Sequence, residues 1–193
     1  MKTFFREIAI TIILALAMFF LLRATIDTVV VIGVSMEPSF HNEQRLIVSK
    51  VTYRLHEPER GDVIVFQPTN NQRGEYIKRI IAQPGDTVEI KEEAVYVNGT
   101  KLNEPYIKSA PSYTTKEQKI PVNNYFVLGD NRNNSNDSHN GWVVPRQNIA
   151  GKVWLSIWPP ANWGLVPEYS LAEQLTGAIS NWLAGRSIYY INR

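Results

Sequence analysis

A long apolar run stands near the start of the chain. Residues 8–22 carry no charge, and the apolar span reaches 23 residues when counted from Phe4 to Ile26, with Arg6 and Arg23 near its ends. A helix of that length crosses the roughly 30 Å hydrocarbon core of a bilayer, and long cationic side chains at its ends can extend to the interface. The run predicts a transmembrane anchor within residues 1–27, and the cations that precede it favour a cytoplasmic N-terminus.

A cleaved secretory signal and a buried helix of a soluble core are the alternatives to an anchor. The tripeptide at 15–17 (ALA) resembles a small-residue cleavage site, but apolar residues continue past it to Leu22 and leave no polar cleavage region. An anchor is therefore the favoured interpretation.

Beyond the anchor the pattern changes to short runs rich in Val, Ile, Tyr, Phe and Trp, separated by Gly-Asp, Pro-Gly and Asn-Gly turns. This pattern is typical of antiparallel β structure, with Asn98-Gly99 as a candidate hairpin turn. We predict a mainly β domain over residues 28–160, interrupted by a mobile polar surface loop at 108–121. The predicted strands are Thr28–Val34, Arg45–Tyr53, Asp62–Gln67, Tyr76–Ala82, Thr87–Lys91, Ala94–Val97, Tyr125–Leu128 and Ile149–Ile157.

The C-terminal extension, residues 161–193, contains a predicted short amphipathic helix. Residues 170–173 (SLAE) have the form of a capping box, and apolar residues then recur at helical spacing until Gly185. Packing against the β domain is the favoured role, and contact with the membrane surface is the alternative. The periodic residues are Leu171, Leu175, Ile179, Trp182 and Leu183.

Composition narrows the functional classes. The chain of 193 residues is 44% hydrophobic and 20% charged, which is a globular balance. A net charge of only +2, without a long Lys/Arg run, disfavours a nucleic-acid partner. Cysteine is absent, which excludes disulfides, thiolate catalysis and Cys-based metal sites.

Several familiar catalytic and metal motifs are incomplete. Residues 33–37 (GVSME) break the Gly-x-Ser-x-Gly nucleophile elbow at its last position, and none of the three histidines lies in a zinc-binding HExxH. The polar segment 130–141 invites comparison with a calcium loop, but Gln147 stands where a bidentate glutamate is needed. A Ser-His-Asp triad stays open, since triads assemble in space, but no sequence feature favours it.

Three segments carry a specific signal when they are taken together. They are residues 35–38 (SMEP) soon after the anchor, 76–86 (YIKRIIAQPGD), and 129–138 (GDNRNNSNDS). In order and content they resemble the type I signal peptidases, the Ser/Lys peptidases of bacterial membranes and related organelles. The likeness extends from the anchor to about Pro159.

The resemblance implies Ser35 as nucleophile and Lys78 as general base, with the Ser35 N–H in the oxyanion hole. It implies signal-peptide-bearing preproteins as substrates, cut after an Ala-x-Ala pattern, and no metal or organic cofactor. Ser135 would orient Lys78, and Met36 and Ile77 are candidates for lining the substrate pockets. The surrounding loop would be held by Asp130, Arg132 and Asp137.

A lysine can act as a base only when its amine is neutral. Free lysine has a pKa near 10.4, and lowering it to about 7 by burial costs roughly 4 kcal/mol. If residues 76–82 form a strand, Lys78 shares a face with Tyr76, Ile80 and Ala82, and that face could desolvate the amine. An edge lysine in contact with water is the alternative that the strand pattern alone leaves open.

Two positions depart from the family pattern. Gly33 replaces a serine whose hydroxyl assists the oxyanion in some members, so the oxyanion hole would use backbone donors. His139 replaces a common arginine, and its pairing with Asp137 would weaken when the imidazole loses its proton.

The resemblance implies a single-pass protein of the bacterial cytoplasmic membrane, with its catalytic domain outside the cytoplasm; a thylakoid membrane would also suit it. An inactive, anchored β module that binds a peptide or an assembly partner is the alternative from a different class. A self-cleaving repressor is a third hypothesis, but it would carry a DNA-binding helical domain where this chain has an apolar span. The oligomeric state and the preferred precursors stay open.

Overall fold

The computed structural model describes residues 2–69, 74–169 and 171–175 of the chain. Helix α1 (Lys2–Thr25) forms over the apolar run and continues directly into the first strand. Its segment Thr3–Thr25 has a mean hydropathy of 2.3, and no residue of its most apolar window is buried against the rest of the protein. The predicted anchor is therefore a helix long and apolar enough to span a membrane, with side chains free to face lipid.

Twelve strands build the rest of the described fold, and every pairing between them is antiparallel. They are β1 (Ile26–Val30), β2 (Arg45–Ser49), β3 (Val63–Phe66), β4 (Tyr76–Ala82), β5 (Thr87–Lys91), β6 (Ala94–Val97), β7 (Thr100–Lys101), β8 (Thr115–Lys119), β9 (Asn124–Leu128), β10 (Val144–Pro145), β11 (Ile149–Trp158) and β12 (Gly164–Leu165).

The strands form two sheets. The larger has the order β1-β2-β11-β3-β4-β9-β10, with β12 beside β11, and the smaller has the order β7-β6-β5-β8. The predicted hairpin turn is confirmed, since Val97 pairs with Thr100 and both turn residues, Asn98 and Gly99, have positive φ. The mainly β fold class predicted from the sequence is confirmed.

Apolar side chains pack on both faces of β4 and β9, which makes these two strands the centre of the fold. Ile81 and Phe126 pack with the small sheet on one side, whereas Ile80 and Val127 belong to a second buried cluster on the other side. A third cluster lies beneath the segment that joins β1 to β2 and includes Met36 and Phe40. Because β4 is buried along most of its length, a charged side chain in it is held away from water.

The structure corrects three predicted elements. The strand predicted at Thr28–Val34 spans Ile26–Val30, and the one predicted at Arg45–Tyr53 ends at Ser49, because a short helix α2 (Thr52–Leu55) follows. The predicted mobile loop at 108–121 contains β8, which pairs with β5 at the edge of the small sheet. An edge strand needs one backbone partner and can keep its side chains in water, so polarity alone did not reveal it.

The described residues of the C-terminal extension pack against the β domain. Strand β12 pairs with β11, residues 171–175 are helical, and Leu171 and Leu175 are buried in the cluster that includes the small sheet. This packing agrees with the favoured role of the predicted helix. Ser170, Ile179, Trp182 and Leu183 lie outside the described residues, and the division at residue 160 stays a prediction.

Candidate active site

Ser35 lies in the segment between β1 and β2, which backbone hydrogen bonds hold in a fixed path. Val31 donates to the Gln44 carbonyl and accepts from the Glu43 N–H, both at 2.8 Å. The Gly33 N–H donates to Asn42 Oδ1 at 2.8 Å. Gly33 has a φ of 92°, a conformation that favours glycine over a residue with a side chain. This turn therefore favours the glycine that departs from the family pattern.

The loop that follows β9 donates hydrogen bonds to the backbone carbonyls at Ser35. The Asn131 N–H donates to the Ser35 carbonyl at 3.0 Å, and Asn131 Nδ2 donates to the Val34 carbonyl at 3.1 Å. Two distant segments of the chain thereby share a fixed backbone geometry at Ser35. The side chain of Ser35 stays half-buried and open to the adjoining groove.

Lys78 lies in the middle of β4, where it pairs with Ile64 of β3. Its Nζ is 2.7 Å from Ser35 Oγ and 2.9 Å from the Ile77 carbonyl, to which it donates. The side chain is only 4% exposed, and the Tyr76 ring lies 5.6 Å from Nζ. Burial lowers the pKa of Lys78 to about 8, although the negative charges of Asp137 and Asp130 oppose that decrease.

A groove of about 410 Å³ opens beside the Ser35 and Lys78 side chains. Met36 and Ile77, both proposed from the sequence as pocket residues, line it. Its other lining residues come from β1 and the chain just beyond it, from the segment that enters β4, and from the 129–138 loop: Val30, Val31, Ile32, Gly74, Glu75, Tyr76 and Asn136.

Comparison with known proteins identifies the chain. The family described as "Signal peptidase, peptidase S26" matches residues 5–158. The chain belongs to this family. It is 42% identical over 153 residues to a probable signal peptidase I-2 of Synechocystis, covering 77% of this chain and 70% of that protein. It is 45% identical over 132 residues to a signal peptidase I of Leptolyngbya laminosa (65% of each), and 37% identical over 166 residues to signal peptidase I S of Bacillus subtilis (79% and 89%). The protein is a type I signal peptidase, a serine endopeptidase.

Asp130 lies behind the Ser35–Lys78 pair of this peptidase, in a fully buried ion pair. Arg79 Nε and Nη2 donate to its two oxygens at 2.9 and 2.7 Å, and Ser39 Oγ donates at 2.5 Å. Arg79 also donates to the Gly61 carbonyl at 2.8 Å and lies 4.1 Å from the Tyr106 ring centroid. Asp130, in the 129–138 loop, therefore connects β4 through Arg79 to the segment between β1 and β2 through Ser39.

Arg132 and Asp137 hold the rest of the 129–138 loop. Arg132 forms a two-pronged ion pair with Glu104 at 2.7 and 2.5 Å. Asp137 Oδ2 accepts the Gly129 N–H at 2.9 Å, and Oδ1 lies 2.6 Å from His139 Nδ1. Both residues are completely buried, so their polar atoms depend on partners within the protein.

Ser135 lies beside this backbone but makes no hydrogen bond to Lys78 in the structure. Its Oγ is buried and has no hydrogen-bond partner within residues 2–69, 74–169 and 171–175. A Cβ placed on Gly129 would lie 2.3 Å from Ser135 Oγ and 2.4 Å from the Ser35 carbonyl oxygen. Ser135, Gly129 and Ser35 are thus in direct contact, and the role of Ser135 toward Lys78 stays a prediction.

Gly129→Ala is expected to lower kcat because the added methyl group must displace Ser135 or the Ser35 backbone. Contacts shorter than 3.0 Å force a shift, and a misplacement of about 1 Å can cost on the order of 100-fold in rate. Steady-state cleavage assays check this, with Gly99→Ala as the control: a Cβ there meets no atom within 4 Å, so the strain of alanine at its φ of 77° should lower stability but leave kcat unchanged. Equal kcat values for Gly129→Ala and the wild type would contradict the expected contact.

The sequence interpretation assigned no role to Arg79, Glu104, Asn131 or Tyr113. For Arg79 a signal was present, since an arginine within the buried run YIKRIIA requires an acidic partner. Nothing local identified the other three, whose partners in the site (Arg132, Ser35 and His139) lie far away in the chain.

Proposed function

We propose that this peptidase removes signal peptides from exported preproteins with Ser35 as the nucleophile and neutral Lys78 as the general base. The observation that carries the proposal is the 2.7 Å separation of Lys78 Nζ and Ser35 Oγ, with the lysine almost completely buried. This distance is within the range needed for proton transfer. An inactive binding module would have no use for a desolvated lysine beside a serine hydroxyl.

The reaction follows from this geometry. Ser35 Oγ attacks the scissile carbonyl carbon while its proton passes to Lys78 Nζ, and the resulting ammonium then protonates the leaving amine. Water hydrolyses the ester, with Lys78 again accepting a proton. The Ser35 N–H has no acceptor among the described residues, which leaves it available to the developing oxyanion.

The groove supports an extended substrate with small apolar residues. Met36 and Ile77 supply apolar lining close to Lys78, and the exposed side chains of Ile32 and Val30 border the same space. A peptide with an Ala-x-Ala pattern would place small side chains against this surface. We assign the groove to residues preceding the cleavage site.

The test is cleavage of a preprotein with an Ala-x-Ala site by the purified full-length peptidase in detergent. We expect mass spectrometry to find a new N-terminus immediately after the second alanine, and Ser35→Ala to give none. Absence of cleavage by the wild type across several preproteins, or cleavage by Ser35→Ala at the wild-type rate, would reject the proposal.

We expect kcat/KM to fall about tenfold per pH unit below the pKa of Lys78. Because burial lowers that pKa to about 8, only about a tenth of the enzyme would hold a neutral amine at pH 7. A kcat/KM profile from pH 5 to 10 measures this acid limb. A limb near pH 6.5 would contradict a pKa of about 8 for Lys78.

The anchor supports membrane attachment, and we propose a single crossing of the bacterial cytoplasmic membrane with the β domain outside the cytoplasm. Protease added to intact spheroplasts should then degrade the β domain, whereas an inverted orientation would protect it. Alkaline carbonate should leave the protein in the membrane fraction, because α1 is long enough to span the bilayer.

A further inference from the structure

His139 touches a buried carboxylate, Asp137, whose other oxygen holds the backbone of Gly129 beside Ser35. Its Nδ1 is 2.6 Å from Asp137 Oδ1, and the other oxygen of Asp137 accepts the Gly129 N–H at 2.9 Å. Gly129 in turn lies against the Ser35 carbonyl. A change at His139 can therefore reach the nucleophile through one side chain and one backbone segment.

Tyr113 covers the ring of His139. The two rings are stacked, with centroids 4.1 Å apart and an angle of 24° between their planes. The Tyr113 hydroxyl is buried and has no hydrogen-bond partner among the described residues. The interaction that Tyr113 makes at this position is therefore the stacking of its ring on His139.

The segment that carries Tyr113 is fastened to the same loop. Asn133 Oδ1 accepts from the Ser112 N–H and Oγ at 2.7 and 2.9 Å, and Asn133 Nδ2 donates to the Ala110 carbonyl at 2.9 Å. The Lys108 N–H donates to the Asp130 carbonyl at 3.0 Å. These hydrogen bonds hold residues 108–113 against the 129–138 loop, with the Tyr113 ring stacked on His139.

Charge links this cluster to the lysine. The negative charge of Asp137 raises the pKa of Lys78 against the effect of burial, as Asp130 also does. Burial raises the pKa of the Tyr113 hydroxyl, and the negative charge of Asp137 raises it further, which places Asp137 near Tyr113 as well. The position of Asp137 and the charge beside it thus affect how readily Lys78 accepts a proton.

We propose that Tyr113 and His139 are positioning residues for the cleavage reaction. The stacked ring pair holds Asp137 in place, and Asp137 in turn fixes the position of the backbone beside Ser35 and places a negative charge near Lys78. The proposal rests on the Ser35–Lys78 mechanism proposed above. Neither ring lines the groove, so the pair acts on the rate of chemistry and not on substrate binding.

Tyr113→Phe and Tyr113→Leu separate the ring from the hydroxyl. Tyr113→Phe keeps the stack and should cleave at the wild-type rate. Tyr113→Leu loses the stack, and we expect kcat to fall roughly threefold to tenfold, with KM unchanged. Equal kcat in both variants, or a KM effect alone, would overturn the proposal.

His139→Arg and His139→Asn test the charge beside Asp137. Both side chains can donate a hydrogen bond to the carboxylate, but only arginine adds a fixed positive charge, which opposes protonation of Lys78. We expect the acid limb of kcat/KM to lie lower for His139→Arg than for His139→Asn, by on the order of half a pH unit. Loss of fold stability alone would change the amount of active enzyme but not the pH of this limb.

The two proposals fail in different ways. Wild-type protein that cleaves no preprotein, or a Ser35→Ala variant that cleaves normally, removes the proposed mechanism. Wild-type protein with its acid limb near pH 8, together with coincident limbs for the two His139 variants, keeps the mechanism and rejects the positioning role.

Discussion

Lys78→Met is expected to abolish cleavage of preproteins while leaving the folded protein at least as stable as the wild type. Methionine is close to lysine in length and fits a buried site, but it cannot accept the proton of Ser35. General-base catalysis contributes about 10²–10⁴-fold, so kcat should fall by at least that range. Mass-spectrometric cleavage assays at pH 9, where the wild type is mostly in its neutral form, measure the loss.

The stability expectation follows from the depressed pKa of Lys78. The folded value is about 8, whereas the unfolded value is 10.5, so the unfolded chain binds the proton more tightly. The resulting penalty is fully present below about pH 8 and disappears as the pH rises toward the unfolded value. Removing the amine should therefore stabilise the fold by up to about 3 kcal/mol at pH 7.

Lys50→Met is the matched control, because Lys50 forms a partly exposed ion pair with Asp27 at 3.4 Å. Its activity should stay at the wild-type level and its stability should change by less than about 1 kcal/mol. A Lys78→Met protein that is inactive but clearly less stable than the wild type would point to misfolding, and one that cleaves normally would exclude Lys78 as the base.

Asp130→Ala is expected to cause the largest loss of stability. The substitution leaves the Arg79 guanidinium buried, at 1% exposure, without its carboxylate. Removing one partner of a buried ion pair costs about 3–5 kcal/mol, which corresponds to a decrease in Tm of roughly 6–20 °C for a chain of this size. Thermal unfolding in detergent, followed by near-UV circular dichroism, measures the decrease.

Two further variants test the cause of that loss. Asp27→Ala removes the acidic partner of an exposed pair and should change the free energy of unfolding by less than about 1 kcal/mol. The double variant Arg79→Met/Asp130→Leu removes both buried charges and should recover much of the stability, since apolar replacements of buried pairs are often neutral. A double variant no more stable than Asp130→Ala would show that the guanidinium is not the source of the loss.

Patterns of neighbouring residues predicted the elements that depend only on neighbouring residues, such as single strands and the anchor helix. The bounds of β4, β5 and β6 agree with the sequence prediction, because each is a short run of strand-forming residues closed by a turn. The helical anchor likewise follows from uninterrupted hydrophobicity. Strand β8 was missed because its side chains are polar, and its place in the sheet depends on the backbone of β5.

The resemblance named Ser35, Lys78, Asp130, Arg132 and Asp137, together with the pairing of Asp137 with His139, but not the partners of Asp130 and Arg132. Arg79 meets Asp130 across 51 positions of the chain, and Glu104 meets Arg132 across 28. The first pair is selected by the adjacency of β4 and β9 in the large sheet, and the second brings the chain after β7 of the small sheet to the loop after β9; no periodicity along the chain contains either.

By itself, then, the sequence determined the anchor, the mainly β class, the turns and the types of side chain available for catalysis, since each depends on residues close together in the chain. The tertiary structure alone decided that Lys78 is desolvated beside Ser35, that Arg79 neutralises Asp130, and that Tyr113 lies on His139. The reason is physical: desolvation and ion pairing depend on what surrounds a group in space, and these surroundings come from segments far apart in the chain.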